Sequence, residues 1–266
     1  SLVGSEMCIR DRYYFALSFF VYGFLGWCTE VAYAAAKQGK FVNRGFLNGP
    51  ICPVYGIGVG VVVQFLTPVE NNLVLLYISS TILVTVIEGI TGFLLEKIFH
   101  NKWWDYSEQP LNSGGYVCVL FSLIWGVFCV LIVKIIHPLI YKVLTVIPLV
   151  LGIVVMACLA VGLLADLYVT ASGILKMNRR LEAMEKIAAE LKELSDKVGE
   201  NIYENVMEGM EFREEKKARI EELKAKYEEM AENRTKVGER LVKAFPKMQV
   251  GQHKDCLLYT SPSPRD

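Results

Sequence analysis

The sequence predicts an all-α fold: a polytopic membrane helix bundle of about five spans, followed by a C-terminal coiled-coil or amphipathic helical tail in the cytoplasm. Three observations carry this reading. Apolar runs of roughly 20 residues, enough to cross a hydrocarbon core ~30 Å thick, recur between Tyr13 and Leu175. Charge is partitioned, with 34 of the 56 charged residues falling between Lys176 and Lys247. Between the first two apolar runs, Lys40 to Tyr55 holds two prolines, two glycines, two asparagines and an arginine, a mixture that suits neither helix nor strand. Lipid cannot satisfy free backbone N–H and C=O groups, so an irregular segment at membrane depth must be buried in protein or line a wet cavity. The segment therefore reads as a site or, alternatively, as a tight cytoplasmic connector.

Residues 1–12 and 256–266 are set apart from the fold. The two ends can be back-translated so that one is the reverse complement of the other, and Cys256-Leu257-Leu258-Tyr259 inverts to the codons of Cys8-Ile9-Arg10-Asp11. Inverted flanks of this kind are non-native and adapter-derived, and take no part in structural argument. The native stretch is expected from about Tyr13 to Lys254, divided into a transmembrane helical domain, 13–175, and a cytoplasmic helical tail, 176–247.

The first span is read from about Tyr13 to Ala36, with Gly23, Gly26 and several alanines for close helix approach. A second, about Ile51 to Leu66, is glycine-rich and short, as in a tilted or partly re-entrant helix. The third runs from about Leu73 to Phe99, the fourth from Tyr116 to Ile136 and the fifth from Val146 to Ile174. Basic residues cluster after span one (Lys37, Lys40, Arg44), after span three (Lys97, Lys102) and at the start of the tail (Lys176, Arg179, Arg180), with Lys134 and Lys142 after span four. A cytoplasmic tail and an outside N-terminus put eight of these ten inside.

In the tail, Leu181, Met184, Ala188, Leu191, Val198 and Ile202 follow three-and-four spacing. Ile220, Leu223, Tyr227, Met230, Val237 and Leu241 resume it after a break around Gly199 to Phe212, and Pro246 ends it. This predicts a stalk for homodimerisation or partner docking, or a helix packed on its own second half. With 17 basic and 17 acidic residues the tail has no net charge to attract nucleic acid. Cys28, Cys52, Cys118, Cys129 and Cys158 show neither Cys-x-x-Cys spacing nor nearby histidines and read as small buried hydrophobes, so no metal or cofactor is expected.

An ionisable side chain inside a span costs about 2.5 to 3.5 kcal/mol and calls for a partner or a cavity. Glu30, Glu88, Glu96 and Asp166 are such groups. Glu88 and Glu96 lie ~12 Å apart along one helix, near two turns, and with Glu30 form a carboxylate row toward the cytoplasmic mouth. That row suits a cation or proton path; the alternative is pairing with Arg44 and Lys97 to hold helices together. Arg44, with its planar fork of donors, is expected to pair with at least one of Glu30, Glu96 and Asp105 beneath a lid of Asn48-Gly49-Pro50. In the loop from His100 to Gly115, Trp103, Trp104 and Tyr106 fit the headgroup belt, while Asp105 suits Arg44 or a cationic headgroup. The candidate substrate-binding residues are thus Glu30, Glu88 and Glu96 from the spans, Asn43, Arg44 and Asn48 from the first loop, and Trp103, Trp104, Asp105 and Tyr106 from the second.

Several of these residues lie in recognisable strings: Gly26-Trp27-x-x-Glu30, Gly39-Lys40-Phe41-Val42-Asn43-Arg44-Gly45-Phe46-Leu47-x-Gly49-Pro50, Cys52-Pro53-x-Tyr55-Gly56, Glu88-x-x-Thr91-Gly92, Trp103-Trp104-Asp105-Tyr106-Ser107 and Ser122-x-x-Trp125-Gly126. Together they resemble the ABC-transporter type IV family of bacterial membrane proteins, over about Tyr13 to Phe128. The resemblance implies a multi-spanning integral membrane protein acting as a transporter permease. The chain departs from the family pattern at Gly114 and Tyr116, where basic residues are expected, and at Gly89, where an aromatic is expected.

A transport subunit of this kind draws energy from elsewhere, since the chain has no Gly-x-x-x-x-Gly-Lys-Ser/Thr loop to cradle nucleotide phosphates, and a separate ATPase subunit is the expected partner besides the lipid bilayer. An enzyme is disfavoured: there is no Ser-His-acid set and no metal-ligand spacing, and no catalytic residue is assigned. Two alternatives remain, a membrane-embedded enzyme or binding protein acting on lipid headgroups, and a membrane scaffold presenting a coiled coil.

Overall fold

The structure is a computed structural model that describes residues 2–204, 210–233, 235–245 and 248–250. The helices are α1 (Leu2–Gln38), α2 (Pro53–Leu66), α3 (Leu73–Phe99), α4 (Val119–Leu131), α5 (His137–Val146), α6 (Leu149–Glu204), α7 (Met210–Glu232) and α8 (Lys236–Ala244). The end at 256–266 and Pro246, expected to terminate the tail, lie outside the described residues, while most of 1–12 enters α1. The expected tail break around Gly199 to Phe212 falls partly outside them too, with α6 ending at Glu204 and α7 starting at Met210. Two compact units are present, one of Ser1–Ala171 with Ala244–Met248, the other of Ser172–Lys243 with Gln249–Asp266.

Within the first unit the chain is a helix bundle with its apolar side chains turned outward. On α3, Ile82, Val86, Ile90 and Phe93 are spaced by four and three and are all exposed, whereas Ser80 on the same helix is fully buried. Ser122 of α4 and Thr170 of α6 are buried as well. Water would invert that arrangement; a hydrocarbon solvent, which is as apolar as leucine, leaves packing and small residues to bring helices together. Among the described residues four helices are long and apolar enough to cross a membrane, Arg10–Gln38, Leu73–Phe99, Val119–Val146 and Leu149–Lys197, and Pro53–Val69 is a shorter apolar helix. The short second element is α2 extended by a 3₁₀ turn, Thr67–Val69. Its start follows from Pro53, which gives up an N–H that the first helical turn cannot use, and α3 starts where the Asn72 side chain accepts from Leu75 N–H at 3.1 Å.

Lys134 and Lys142, expected in a connection after the fourth span, are instead helical. From α4 the chain passes through a π-helical turn, Ile132–Ile136, straight into α5, so that Val119–Val146 is one rod and only Ile147 and Pro148 separate it from α6. Pro138 has no N–H to return to the preceding turn, and the wider turn before it, closed by His137 N–H on Ile132 C=O, takes up the mismatch. Among the described residues of the first unit, apolar side chains cluster at Val62, Leu66, Leu76, Cys129 and Val133 between α2, α3 and the α4 rod, and at Tyr13, Leu17 and Leu144 between α1 and α5.

In the second unit, Gly173 faces Val237, Arg180 donates to Asn233 C=O at 2.6 Å, and Arg219 reaches Glu190 at 3.0 Å. These contacts run in opposite directions along the two stretches, and Met184, Leu181 and Leu223 are buried in this unit. Exposed ion pairs of this sort contribute about 0.2 to 1 kcal/mol, so the apolar side chains carry the pairing.

α3 and α4 touch at Gly126, where an added Cβ would collide with Thr81 Oγ1 and crowd Tyr77. Gly126→Ala is expected to lower the melting temperature of the detergent-solubilised protein by an amount equivalent to about 1 to 3 kcal/mol. Adding Thr81→Ala, which removes the nearest atom, should recover part of that loss in the same melt.

Candidate functional site

At one end of the first unit, the loop between α1 and α2 meets the loop between α3 and α4. How close the backbones come there is set by Gly26 on α1. The Tyr55 ring of α2 lies where its Cβ would be, and the Tyr55 hydroxyl consequently reaches Glu30, one turn further along, donating to Oε1 at 2.7 Å. The other carboxylate oxygen of Glu30 lies 3.5 Å from Arg44 Nε. Of the three carboxylates expected around Arg44, Glu30 is the one brought to it. The guanidinium carbon stands 4.9 Å from the Tyr33 ring centre and 5.9 Å from that of Phe245. Arg44 and Glu30 are about one-third exposed.

The first loop owes its shape to two asparagines and an aspartate. Asn43 accepts from Trp27 Nε1 at 2.7 Å and from Gly45 N–H, and donates to Asn48 C=O. Asp166 on α6 accepts from Asn48 Nδ2 at 2.8 Å, Asn48 N–H at 3.2 Å and Gly49 N–H at 2.6 Å, with Thr170 Oγ1 bridging. This corrects the reading of Asn48-Gly49-Pro50 as a lid over Arg44. The turn is fastened to α6, because two successive backbone donors and a carboxamide all aim at one carboxylate. It also answers why Asp166 sits within an apolar helix.

The second loop differs from expectation in two respects. Trp103 is buried, packed against Phe46 at 5.3 Å and Phe245 at 5.2 Å, and Trp104 Nε1 donates to Tyr116 C=O at 2.9 Å. Trp103 is thus core rather than part of a headgroup belt, while Trp104 is half-buried. Asp105 does not meet Arg44. It pairs with Lys102 at 3.2 Å and accepts from Ser107 N–H at 3.0 Å and from the Ser107 hydroxyl. Gly115, at φ +74°, leaves no room for a side chain beside Asp105, Lys102 and Ser107.

Of the two α3 carboxylates, Glu88 is met by a tyrosine of this loop, Tyr106 OH donating to its Oε1 at 3.3 Å, and Glu96 lies near Tyr116. Glu88 Oε2 and Glu96 Oε2 are buried with no hydrogen-bond partner among the described residues. The Tyr106 ring stacks on Phe121 at 5.0 Å, and burial, then the charges of Glu88 and Glu30, push its phenol well above the ordinary range. The ten candidate residues therefore divide. Arg44 and Glu30 form one centre, Tyr106 and Glu88 another, Asn43, Asn48, Trp103, Trp104 and Asp105 shape the loops, and Glu96 stands with Tyr116. Sequence reading did not name Tyr33, Tyr55 and Thr170 as site residues; Glu30-x-x-Tyr33 and the family string Cys52-Pro53-x-Tyr55-Gly56 were the available signals for the first two, and nothing local pointed to Thr170.

An outward apolar surface, small and polar residues inside, and ionisable groups gathered where two ordered loops meet define a multi-pass helical membrane protein with a polar centre at one end of its bundle. Residues 17–171 match the model of the family described as "Putative ABC-transporter type IV", and the chain belongs to that family. No curated protein and no solved structure matches it.

The Ser107 hydroxyl, then its N–H and Lys102, hold the Asp105 carboxyl down to about 2 against the opposing effect of burial. Because its folded value lies below the ordinary ~3.9, the loop stabilisation due to this group is complete above about pH 4 and is lost as pH falls through about 2. Tryptophan emission from the purified protein should report that acid step, and Asp105→Asn should remove it. At Gly26, alanine should displace Tyr55 and free Glu30, with a stability loss of about 1 to 3 kcal/mol in a detergent melt; Tyr55→Phe, which keeps the packing, should cost about 1 kcal/mol.

Proposed function

We propose that the chain is the permease subunit of a transporter, with its substrate contacting the polar end of the first unit on the cytoplasmic side. The observations that support this most are the Arg44–Glu30–Tyr55 cluster and the Tyr106–Glu88 pair, in a unit whose outer surface is apolar. Holding charges at such a place is costly, and a scaffold has no use for them. Glu30, Arg44, Glu88 and Tyr106 are the substrate-contacting groups in this reading; Asn43, Asn48, Trp103, Trp104 and Asp105 position them, and Glu96 borders them.

Energy comes from a separate ATPase subunit docking on the cytoplasmic loops or on the second unit, whose mixed surface charges suit a protein partner. The orientation follows from the basic residues flanking α1 and α3. Heptad-spaced residues of the tail could also join two copies, but those buried within the second unit are already used by its own pairing. A headgroup-modifying enzyme is the weaker reading, since the sequence offers no Ser-His-acid set and no metal-ligand spacing.

Three outcomes are expected. An ATPase should co-purify with the full chain from mild detergent, and its stimulation in proteoliposomes should fall at least about tenfold on Glu30→Gln or Arg44→Ala. Partly exposed, the Arg44–Glu30 pair contributes no more than about 1 kcal/mol to folding, so expression and melting temperature should stay near those of the parent. Protease added to right-side-out cells should leave the tail intact, and cleavage within 176–197 would reverse the orientation.

A further inference from the structure

α6 is fastened to the rest of the first unit at two heights and stands off from α1 between them. At the first, a Cβ added to Gly152 would fall on the Tyr13 hydroxyl, and Met156 packs on the cluster of Tyr13, Leu17 and Leu144. At the second, about 21 Å further along the helix, Asp166 takes the Asn48 and Gly49 N–H groups of the first loop. One turn before Asp166 on the same face, a Cβ added to Gly162 would meet nothing within 4 Å among the described residues. α2 behaves differently, since Gly56 and Gly60 bring it against the Phe19 and Phe15 rings of α1.

Between these three helices lies a cleft of about 560 Å³, with Phe15, Ala16 and Phe19 of α1, Ile57 of α2, and Ala157 and Ala160 of α6 in its walls. Alanines at a helix contact ordinarily let two backbones close on each other. Here they line a gap instead. Phe15 and Ile57 are exposed, as is Ile153, which also borders the cleft, so it opens on the apolar outer surface of the first unit.

The chemistry and the width of the cleft narrow what it takes. Among the described residues, no side chain lining it carries an oxygen or a nitrogen, so water would find no partners there. Apolar walls gain dispersion contacts only from something that fills the space between them. From Ile153 to Ala160 the cleft follows α6 for about 10 Å, within the ~15 Å depth of one leaflet. Its mean cross-section is then about 55 Å², against about 80 Å² for a helix with its side chains. A second helix is too thick to enter, whereas a chain of methylenes is not. Phe20, the lining residue of α1 nearest Glu30 in sequence, is still about 15 Å from it along the helix, so the cleft belongs to the leaflet away from the two polar loops.

We propose that this cleft is a binding site for the acyl part of one phospholipid, drawn from the leaflet opposite the polar end of the bundle. The site goes beyond the permease reading and does not depend on it, since a chain that transports nothing would hold the lipid equally.

The test reconstitutes the full chain in phosphatidylcholine vesicles containing a small share of phosphatidylcholine with a diazirine on its acyl chain, irradiates them and locates the label by peptide mass spectrometry. Label is expected on Phe15 to Phe20 and Ile153 to Ala160 at about ten times the level found on the exposed face of α3. Ala157→Phe and Ala160→Phe, which put a ring into the cleft, should each cut that enrichment severalfold, whereas Val161→Phe, on the exposed face of the same helix, should leave it unchanged. The label map of the parent decides by itself if a variant fails to fold. Labelling spread evenly over the apolar surface, or enrichment that persists in both alanine variants, overturns the proposal. So does a dimer, resolved by native mass spectrometry, that the two substitutions break while the parent shows no enrichment, for the cleft would then belong to a second copy of the chain.

Discussion

One carboxylate governs the polar end of this bundle. Asp166 accepts two successive backbone N–H groups and a carboxamide from the loop between α1 and α2, and these are donors that lipid could not have satisfied. With that loop tied to α6, Leu47 is fully buried and Phe46 stacks on Phe99 and Trp103. Arg44, two residues before Phe46, is thereby held over Tyr33. Untying the loop would leave several unpaired backbone donors, each costing about 1 to 3 kcal/mol, and would release the one cation that answers Glu30.

The membrane character and the helical class were legible because they depend on composition averaged over long windows, as were the family strings between Gly26 and Gly126. The carboxylates were legible one by one, since an acid among apolar neighbours is conspicuous. Their partners were not. Asp166 is 118 residues from Asn48 and Tyr55 is 25 from Glu30, and no periodicity relates residues brought together by tertiary packing. Trp103 was misread for a related reason. A tryptophan in a membrane-adjacent loop carries the same local signature whether it faces headgroups or its own protein, and only the arrival of Phe46 and Phe245 decides.

Tyrosine meets two of the acids that enter the bundle, Tyr55 at Glu30 and Tyr106 at Glu88, whereas Asp166 is met by backbone and carboxamide donors. A phenol donates one hydrogen bond without adding a countercharge, and it brings a ring that packs like any apolar group. Arg44 stands at the rim, about one-third exposed, where its charge can be hydrated. The division follows the cost of burying ions: neutral donors lie deep, cations at the edge.

The π-turn at Ile132–Ile136 has a consequence for how the rod tolerates change in length. One surplus residue turns everything after it by about 100° relative to an unbroken α-helix. Before the turn, Ser122, Gly126 and Cys129 present a single stripe, with Gly126 against α3; after it, Leu144 meets Tyr13 and Leu17 of α1. The surplus residue works as a phase shifter that lets one helix mesh with two differently placed neighbours. Removing a single residue there would put α5 out of gear with α1, whereas a conservative exchange of one isoleucine for another aliphatic would pass almost unnoticed.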